Sequence, residues 1–314
     1  MNERIKMRKI SLLILAVLFF VSCTNNETNF LEIDNAYFGL TPPGLIPEVF
    51  APGIVSDTNW QEHCQLAISP KGDEIYWSKF TNGVTEQIYF SKFINNKWTE
   101  PKLADFIKDD LTLLNGQPTF SPDGKKLFFY SRNRPGGLGY IDAWYVEKTD
   151  DGWSKPINAG QPFNTYGDDR PPIITEKGNA YTIGRNFEED KVNYRKFSYT
   201  DGKFSLPTTV STYKESPYWW PLYVSPEEMY IIFPSAMKDG IGGLDLYICF
   251  KDENDTWEKP INLGPEINTK ISERFPIVSP DGKYLFFMRH TESWDIFWVS
   301  TNIIENFKNQ SENI

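Results

Sequence analysis

Two acid–arginine pairs, Asp169-Arg170 and Glu273-Arg274, carry the residue types best suited to chemistry in this 314-residue sequence. An arginine presents a planar fork that grips a carboxylate or sulfate through two parallel hydrogen bonds. The adjacent acid can neutralise that arginine or serve as a general acid or base. Arg185 and Arg289 add two further forks, Trp219 and Trp220 offer ring faces for a sugar or an apolar ligand, and His63 is a polar neighbour. The strongest catalytic reading is glycoside cleavage by two carboxylates, with Asp169 and Glu273 as the pair. The plainer reading of both acid–arginine pairs is a structural salt bridge copied with the repeat. His63 and His290 are the only histidines, too few for a histidine-based metal centre, and each reads as an ordinary core or surface residue. No Gly-x-Ser-x-Gly elbow and no nucleophile–base pairing is present. The expectation is that the chain uses no metal and no cofactor.

What must position these residues is a repeat. Ser69-Pro70, Ser121-Pro122, Thr175-Glu176, Ser225-Pro226 and Ser279-Pro280 recur at spacings of 52, 54, 50 and 54 residues. The clearest copy runs Ser121-Pro122-Asp123-Gly124. Proline presets φ for the second position of a tight turn, and glycine accepts the left-handed conformation that closes it. An apolar-aromatic run follows (Leu127 to Tyr130), suited to a buried strand. A third strand starts at Asp142, matched by Gln87, Asp245 and Asp295 in other copies. The pairs Trp98/Pro101, Trp153/Pro156, Phe204/Pro207 and Trp257/Pro260 mark a fourth, outer strand, where proline is tolerated.

About 50 residues and four strands per repeat predict the blades of an all-β propeller. Five four-stranded antiparallel blades are expected, with six as the alternative. The stretch Pro47 to Val55 would supply the missing outer strand of the last blade and close the ring, removing open edges. The candidate residues then fall on one rim, opposite the Pro-Asp-Gly turns. The rim holds His63-Cys64, Asn115-Gly116, Asp169-Arg170, Trp219-Trp220 and Glu273-Arg274. Two departures stand out. Tyr181-Thr182-Ile183-Gly184 makes a weak second strand in the third copy. Glu228 occupies the glycine position of the fourth turn, which predicts a turn of another type because a left-handed glutamate costs roughly 1–2 kcal/mol.

These turns, with Asp245-Leu246-Tyr247 and the run Trp257-Glu258-Lys259-Pro260-Ile261-Asn262-Leu263-Gly264 ahead of Asn268-Thr269, resemble the TolB-type, WD-like β-propeller repeats of bacterial envelope proteins, over about residues 45–300. The resemblance implies a fold and an envelope setting. It implies no activity, because every matching residue has a turn or packing role.

The N-terminus is a targeting segment. Arg4, Lys6, Arg8 and Lys9 precede the apolar run Ile10 to Val21, which is shorter than a membrane span. Cys23 after Phe20-Val21-Ser22 resembles the acylated first residue of a bacterial lipoprotein, although leucine is usual where Phe20 stands. The domain plan is therefore a signal peptide at 1–22, a tether at 23–44, one propeller at 45–300 and a polar tail at 301–314, without a helix of note beyond the signal. Loss of residues 1–22 moves the formal charge from −10 to −13, since four basic residues and one acid leave. That charge, without a basic cluster, argues against nucleic acid and against electrostatic membrane binding. The expected partners are an envelope protein, a glycan or a small anionic ligand, with the membrane reached through lipid on Cys23. Localisation would be the cell envelope, at the periplasmic or surface face of the outer membrane. A ligand-binding module is the first reading of function and a carbohydrate-active enzyme the alternative. Cys64 and Cys249 fall in different, non-adjacent blades and are expected as buried free thiols.

Overall fold

The computed structural model describes residues 30, 35–56, 61–81, 85–210, 220–291 and 293–311. Cys23 and Trp219 lie outside the described residues.

The repeat folds as consecutive antiparallel meanders. The first comprises Gln61–Ile68, Glu74–Thr81, Thr85–Ile94 and Lys102–Leu103. The second comprises Asn115–Phe120, Lys126–Arg132, Ile141–Thr149 and Ile157–Asn158. In the third, Asp168–Asp169 and Ile173–Ile174 share the inner position, followed by Ala180–Asn186, Lys191–Phe197 and Thr208–Thr209. The fourth runs Tyr223–Val224, Tyr230–Ser235, Asp245–Phe250 and Ile261–Asn262. The last runs Glu273–Val278, Tyr284–His290 and Trp294–Ser300. Its fourth strand is Glu48–Val49, which pairs antiparallel with the Trp294–Ser300 strand. The inner strand of the first meander packs beside the strands of the last. Single parallel bridges, Asp168 to Ile141 and Leu244 to Ser272, link the second meander to the third and the fourth to the fifth. The outer strands are the two residues after Pro101, Pro156, Pro207 and Pro260, so each proline ends a loop and the edge strand follows it.

One turn geometry serves all five copies. The backbone N–H of Gly72, Gly124, Gly178, Glu228 and Gly282 donates to the carbonyl of the residue three earlier, at 2.8–2.9 Å, with φ between +58° and +81°. The serine hydroxyl then accepts a backbone N–H from the strand that follows, as Ser121 does from Lys126 at 2.9 Å and Ser279 from Tyr284 at 3.0 Å. Glu228 thus corrects the expectation of another turn type: it adopts φ +58°. Its buried carboxylate accepts from the Thr175 hydroxyl, the Asn179 amide and the Tyr181 hydroxyl, each at 2.8 Å, and pairs with Lys196 at 3.1 Å. These donors all belong to the preceding meander. They hold the Glu228 carboxyl down to about 2, against the desolvation that opposes ionisation. The strain of the turn is offset by a latch between neighbours.

Three other expectations change. The strand Ala180–Asn186 is full length and pairs along its whole run. The intended tether is partly packed: Ala36 and Tyr37 are buried, Tyr37 donates to Asp281 at 2.8 Å, and the Trp98 indole donates to the Asn35 carbonyl at 2.7 Å. The segment Asn35 to Phe50 thereby touches both the first and the last meander. The polar tail is a helix over Asn302–Ser311 that buries Ile303 and Ile304, with Phe307 beside them. Among the described residues no helix is long and apolar enough to cross a membrane.

Candidate functional site

The two candidate acids are consumed by the scaffold. Asp169 is fully buried; one oxygen pairs with Arg195 and the other accepts the Thr165 backbone N–H at 2.5 Å and its hydroxyl at 2.9 Å. Glu273, also fully buried, takes the equivalent donors with a different split: Oε2 accepts the Thr269 N–H at 3.0 Å, and Oε1 accepts its hydroxyl at 2.8 Å and pairs with Arg289 at 3.1 Å. The partners are Arg195 and Arg289, not the sequence neighbours Arg170 and Arg274. Burial raises the Glu273 carboxyl and lowers the Arg289 guanidinium, so desolvation dominates on both sides of that pair. With their oxygens engaged in this way, neither carboxylate is placed to act as an acid or base on a ligand.

A wider lattice surrounds these acids and recurs in register. Asn164 accepts the Ala143 N–H and donates to Asn158, which donates in turn to Asp142. Asn268, Leu246, Asn262 and Asp245 repeat the set. Asp142 and Asp245 receive the N–H groups of their glycine-rich loops. Gly184, which weakens the third copy on paper, is required here: a Cβ would run into the Arg195 guanidinium on its way to Asp169.

The remaining candidates scatter. Arg185 is exposed and paired with Asp190 at 2.6 Å across its own hairpin. Trp220 and Arg274 do meet: the guanidinium lies 4.1 Å from the Trp220 ring centre and 3.3 Å from that of Trp294. Desolvation lowers Arg274 to about 10, and its buried Nε has no hydrogen-bond partner among the described residues. No described carboxylate forms an ion pair with it. Arg170 is buried, with its guanidinium 4.4 Å from the Tyr130 ring centre.

His63 is not an ordinary residue. Its Nδ1 lies 2.9 Å from Glu86 Oε1 and 3.1 Å from Cys64 Sγ, and Sγ lies 3.3 Å from the same Oε1. Tyr130 donates to the other Glu86 oxygen. Desolvation raises the fully buried Cys64 thiol, while Arg170 pulls it the other way. For Glu86, His63 and its hydroxyl donors outweigh desolvation and lower the carboxyl below its ordinary value. Neighbouring side chains on a strand point to opposite faces. Here His63 and Cys64 converge because the inner strand is bulged: register is lost between His63 and Ala67, and Cys64 takes φ +66°. The same inner-strand irregularity recurs at Gly116–Thr119 and Arg274–Ile277, with Gln117 and Phe275 at positive φ. Gly116 leaves room for Glu86, since a Cβ there would strike its carboxylate.

Glu86 was not singled out by the sequence, yet a signal existed. Strand register aligns Gln87 with Asp142, Asp245 and Asp295, so Glu86 occupies the place of Ile141, Leu244 and Trp294. A buried acid at a repeat position that is otherwise apolar is the anomaly. Phe275 joins the two sites, its ring 5.7 Å from His63 and 5.3 Å from Trp220.

A cavity of about 370 Å³ lies at the other end of the inner strands, beside the turns, with Pro70, Pro122, Pro226 and Pro280 around it and Phe30 in its wall. Among the described residues, Cys64 and Cys249 are free thiols and both are buried.

No family model and no curated protein matches the chain. Among solved structures, a complex of BT0996 with RGII aligns with 10% identity over 83% of this protein and 92% of the other, at TM-score 0.52. A protein of unknown function from Dyadobacter fermentans aligns at 15% identity, covering 83% of each protein, at TM-score 0.46. A putative TolB from Agrobacterium tumefaciens aligns at 14%, covering 72% and 69%, at TM-score 0.45. These likenesses concern the fold alone: an all-β, propeller-like architecture, without assignment to a family.

Proposed function

We propose that the chain is a lipid-anchored, five-bladed propeller of the cell envelope that binds a carboxylate- or sulfate-bearing ligand, a glycan or an acidic protein segment, at the rim opposite its Pro-Asp-Gly turns. The observation that carries the reading is Arg274. A guanidinium held between two indole rings, partly desolvated and without an acid among the described residues, sits in a costly state that an incoming anion relieves. Trp220 and Trp294 are ring platforms for the same ligand. The five meanders, with Glu48–Val49 completing the last, support the blade count and the closure by the N-terminal strand. The basic start, the short apolar run and Cys23 support export and acylation. The alternative, a carbohydrate-active enzyme on this scaffold, would have to use groups other than Asp169 and Glu273.

The test is tryptophan fluorescence during titration with uronic-acid oligosaccharides, sulfated oligosaccharides and an acidic peptide. One class should give a saturable change that Arg274→Ala abolishes and Arg274→Lys weakens. A response that Arg274→Ala leaves intact, or none from any class, sinks the reading. For the anchor, fatty-acid labelling should be lost in Cys23→Ala; persistent labelling overturns that part.

A further inference from the structure

We infer that His63, Cys64 and Glu86 form a binding site for one divalent transition-metal ion, with zinc the ion that suits all three donors. Nδ1, Sγ and Oε1 stand 2.9–3.3 Å apart from one another. Donors around a tetrahedral zinc, at its usual bond lengths, lie about 3.3–3.8 Å apart. Opening the triangle by a few tenths of an ångström therefore admits the ion. Thiolate favours a soft or borderline metal and carboxylate a harder one, and zinc accepts both together with imidazole.

A catalytic relay does not fit the same atoms. A relay histidine faces its nucleophile with one ring nitrogen and its orienting acid with the other. Here Nδ1 alone faces both the sulfur and the carboxylate. One nitrogen cannot hold both places of a relay, whereas all three atoms can share an ion.

The surroundings match what metal ligands need. Tyr130 donates to the second Glu86 oxygen, fixing the carboxylate's orientation. The Ser78 hydroxyl donates to the His63 carbonyl at 2.5 Å and steadies the bulge. Phe80 and Phe275 wall the imidazole, at 5.0 and 5.7 Å between ring centres. Cys64 and Glu86 are buried, while the His63 side chain is 23% exposed, so the ion reaches the site past the imidazole. On binding, the Cys64 thiol proton leaves to solvent, and thiolate and carboxylate together balance the two positive charges. Three protein donors leave a fourth position for water or an anion. Its donors are His63, Cys64 and Glu86 alone, so the site stands whether or not Arg274 binds a ligand.

The experiment uses the full chain, free of any affinity tag and stripped with chelator, titrated first with Co²⁺ and then with Zn²⁺. One equivalent of Co²⁺ should develop the near-ultraviolet absorption of a cobalt–thiolate bond, and one equivalent of Zn²⁺ should erase it. Cys249→Ser should keep the band and Cys64→Ser should lose it. His63→Ala alters a partly exposed side chain, and should weaken Zn²⁺ binding by more than about 100-fold with folding retained. Tyr130→Phe should weaken it by about 10-fold. The inference is overturned if the wild-type chain binds no stoichiometric metal or gives no thiolate band. It is equally overturned if folded His63→Ala binds Zn²⁺ as tightly as wild type.

Discussion

Two polar regions share the inner edge of the sheets and differ in one respect: one is repeated and the other is not. The lattice of Thr165 and Asp169 with Asn164, Asn158 and Asp142 has its counterpart in Thr269, Glu273, Asn268, Asn262 and Asp245, bond for bond. The group around His63, Cys64 and Glu86 has no counterpart. In the other copies, the place of Glu86 holds Ile141, Leu244 or Trp294, that of His63 holds Gly116 or Arg274, and that of Cys64 holds Gln117 or Phe275. A polar set repeated in two places answers a need those places share, which is to tie a loop to a strand. A polar set that breaks the repeat answers a need of one place, and function is such a need.

The comparison breaks if the repeated acids prove dispensable to folding. Glu273→Ala leaves the Arg289 guanidinium buried beside Thr269 without its acid, and should lower unfolding free energy by about 3–5 kcal/mol. Chemical denaturation measures it. Replacing both partners, Glu273→Met with Arg289→Met, should cost much less, because desolvation already offsets much of the pair's attraction. A single mutant as stable as wild type would remove the scaffold reading and make Glu273 a candidate acid again.

Gly184→Ala tests the same lattice from beneath. The added methyl displaces Arg195 from Asp169, and a loss of about 1–3 kcal/mol is expected on thermal or chemical melting. The glycine that weakens a strand by propensity is what admits the cation.

The third test uses acid. Glu228 has a folded pKa of about 2, below its ordinary value of 4.5, so its stabilising contribution is complete above about pH 4.5 and fades as pH falls toward 2. Glu273 works in the opposite sense: its raised carboxyl takes up a proton in the folded state before it does so unfolded, so acidification there does not destabilise. Glu228→Gln should flatten the acid limb of the stability–pH curve, and Glu273→Gln should not. At neutral pH, Glu228→Ala should cost about 2–3 kcal/mol, since it strips the acceptor from Thr175, Asn179 and Tyr181.

What could be read in the sequence divides along the same line. The turns at Ser121 and Ser279, the strand openers Asp142 and Asp245 and the edge prolines are local signals, and each was legible because it recurs. The equivalence of Asp169 and Glu273 was legible too, but not their partners: Arg195 comes from the third strand of its meander and Arg289 from the second, a choice only packing makes. Glu86 was hidden inside what reads as an ordinary strand, and the Cys64 bulge depends on register rather than on residue type. The helix Asn302–Ser311 escaped because its apolar face rests on Ile303, Ile304 and Phe307 alone within a polar run.

The smallest effect separates the regions most directly. Arg274→Ala removes a cation that no described acid neutralises, and what it forfeits is stacking on Trp220 and Trp294 together with some buried surface. The desolvation that lowers its guanidinium to about 10 is relieved at the same time. These terms oppose one another, so unfolding free energy should change by no more than about 1 kcal/mol. Arg289→Ala, at the equivalent edge of the same sheet, should cost about 3–5 kcal/mol, because Glu273 would remain buried beside the gap. Measured side by side in denaturant, the two arginines of one meander should thus differ several-fold in what they hold up. Equal losses would mean that Arg274 is as structural as its neighbour and that the rim has no free cation to offer an anion.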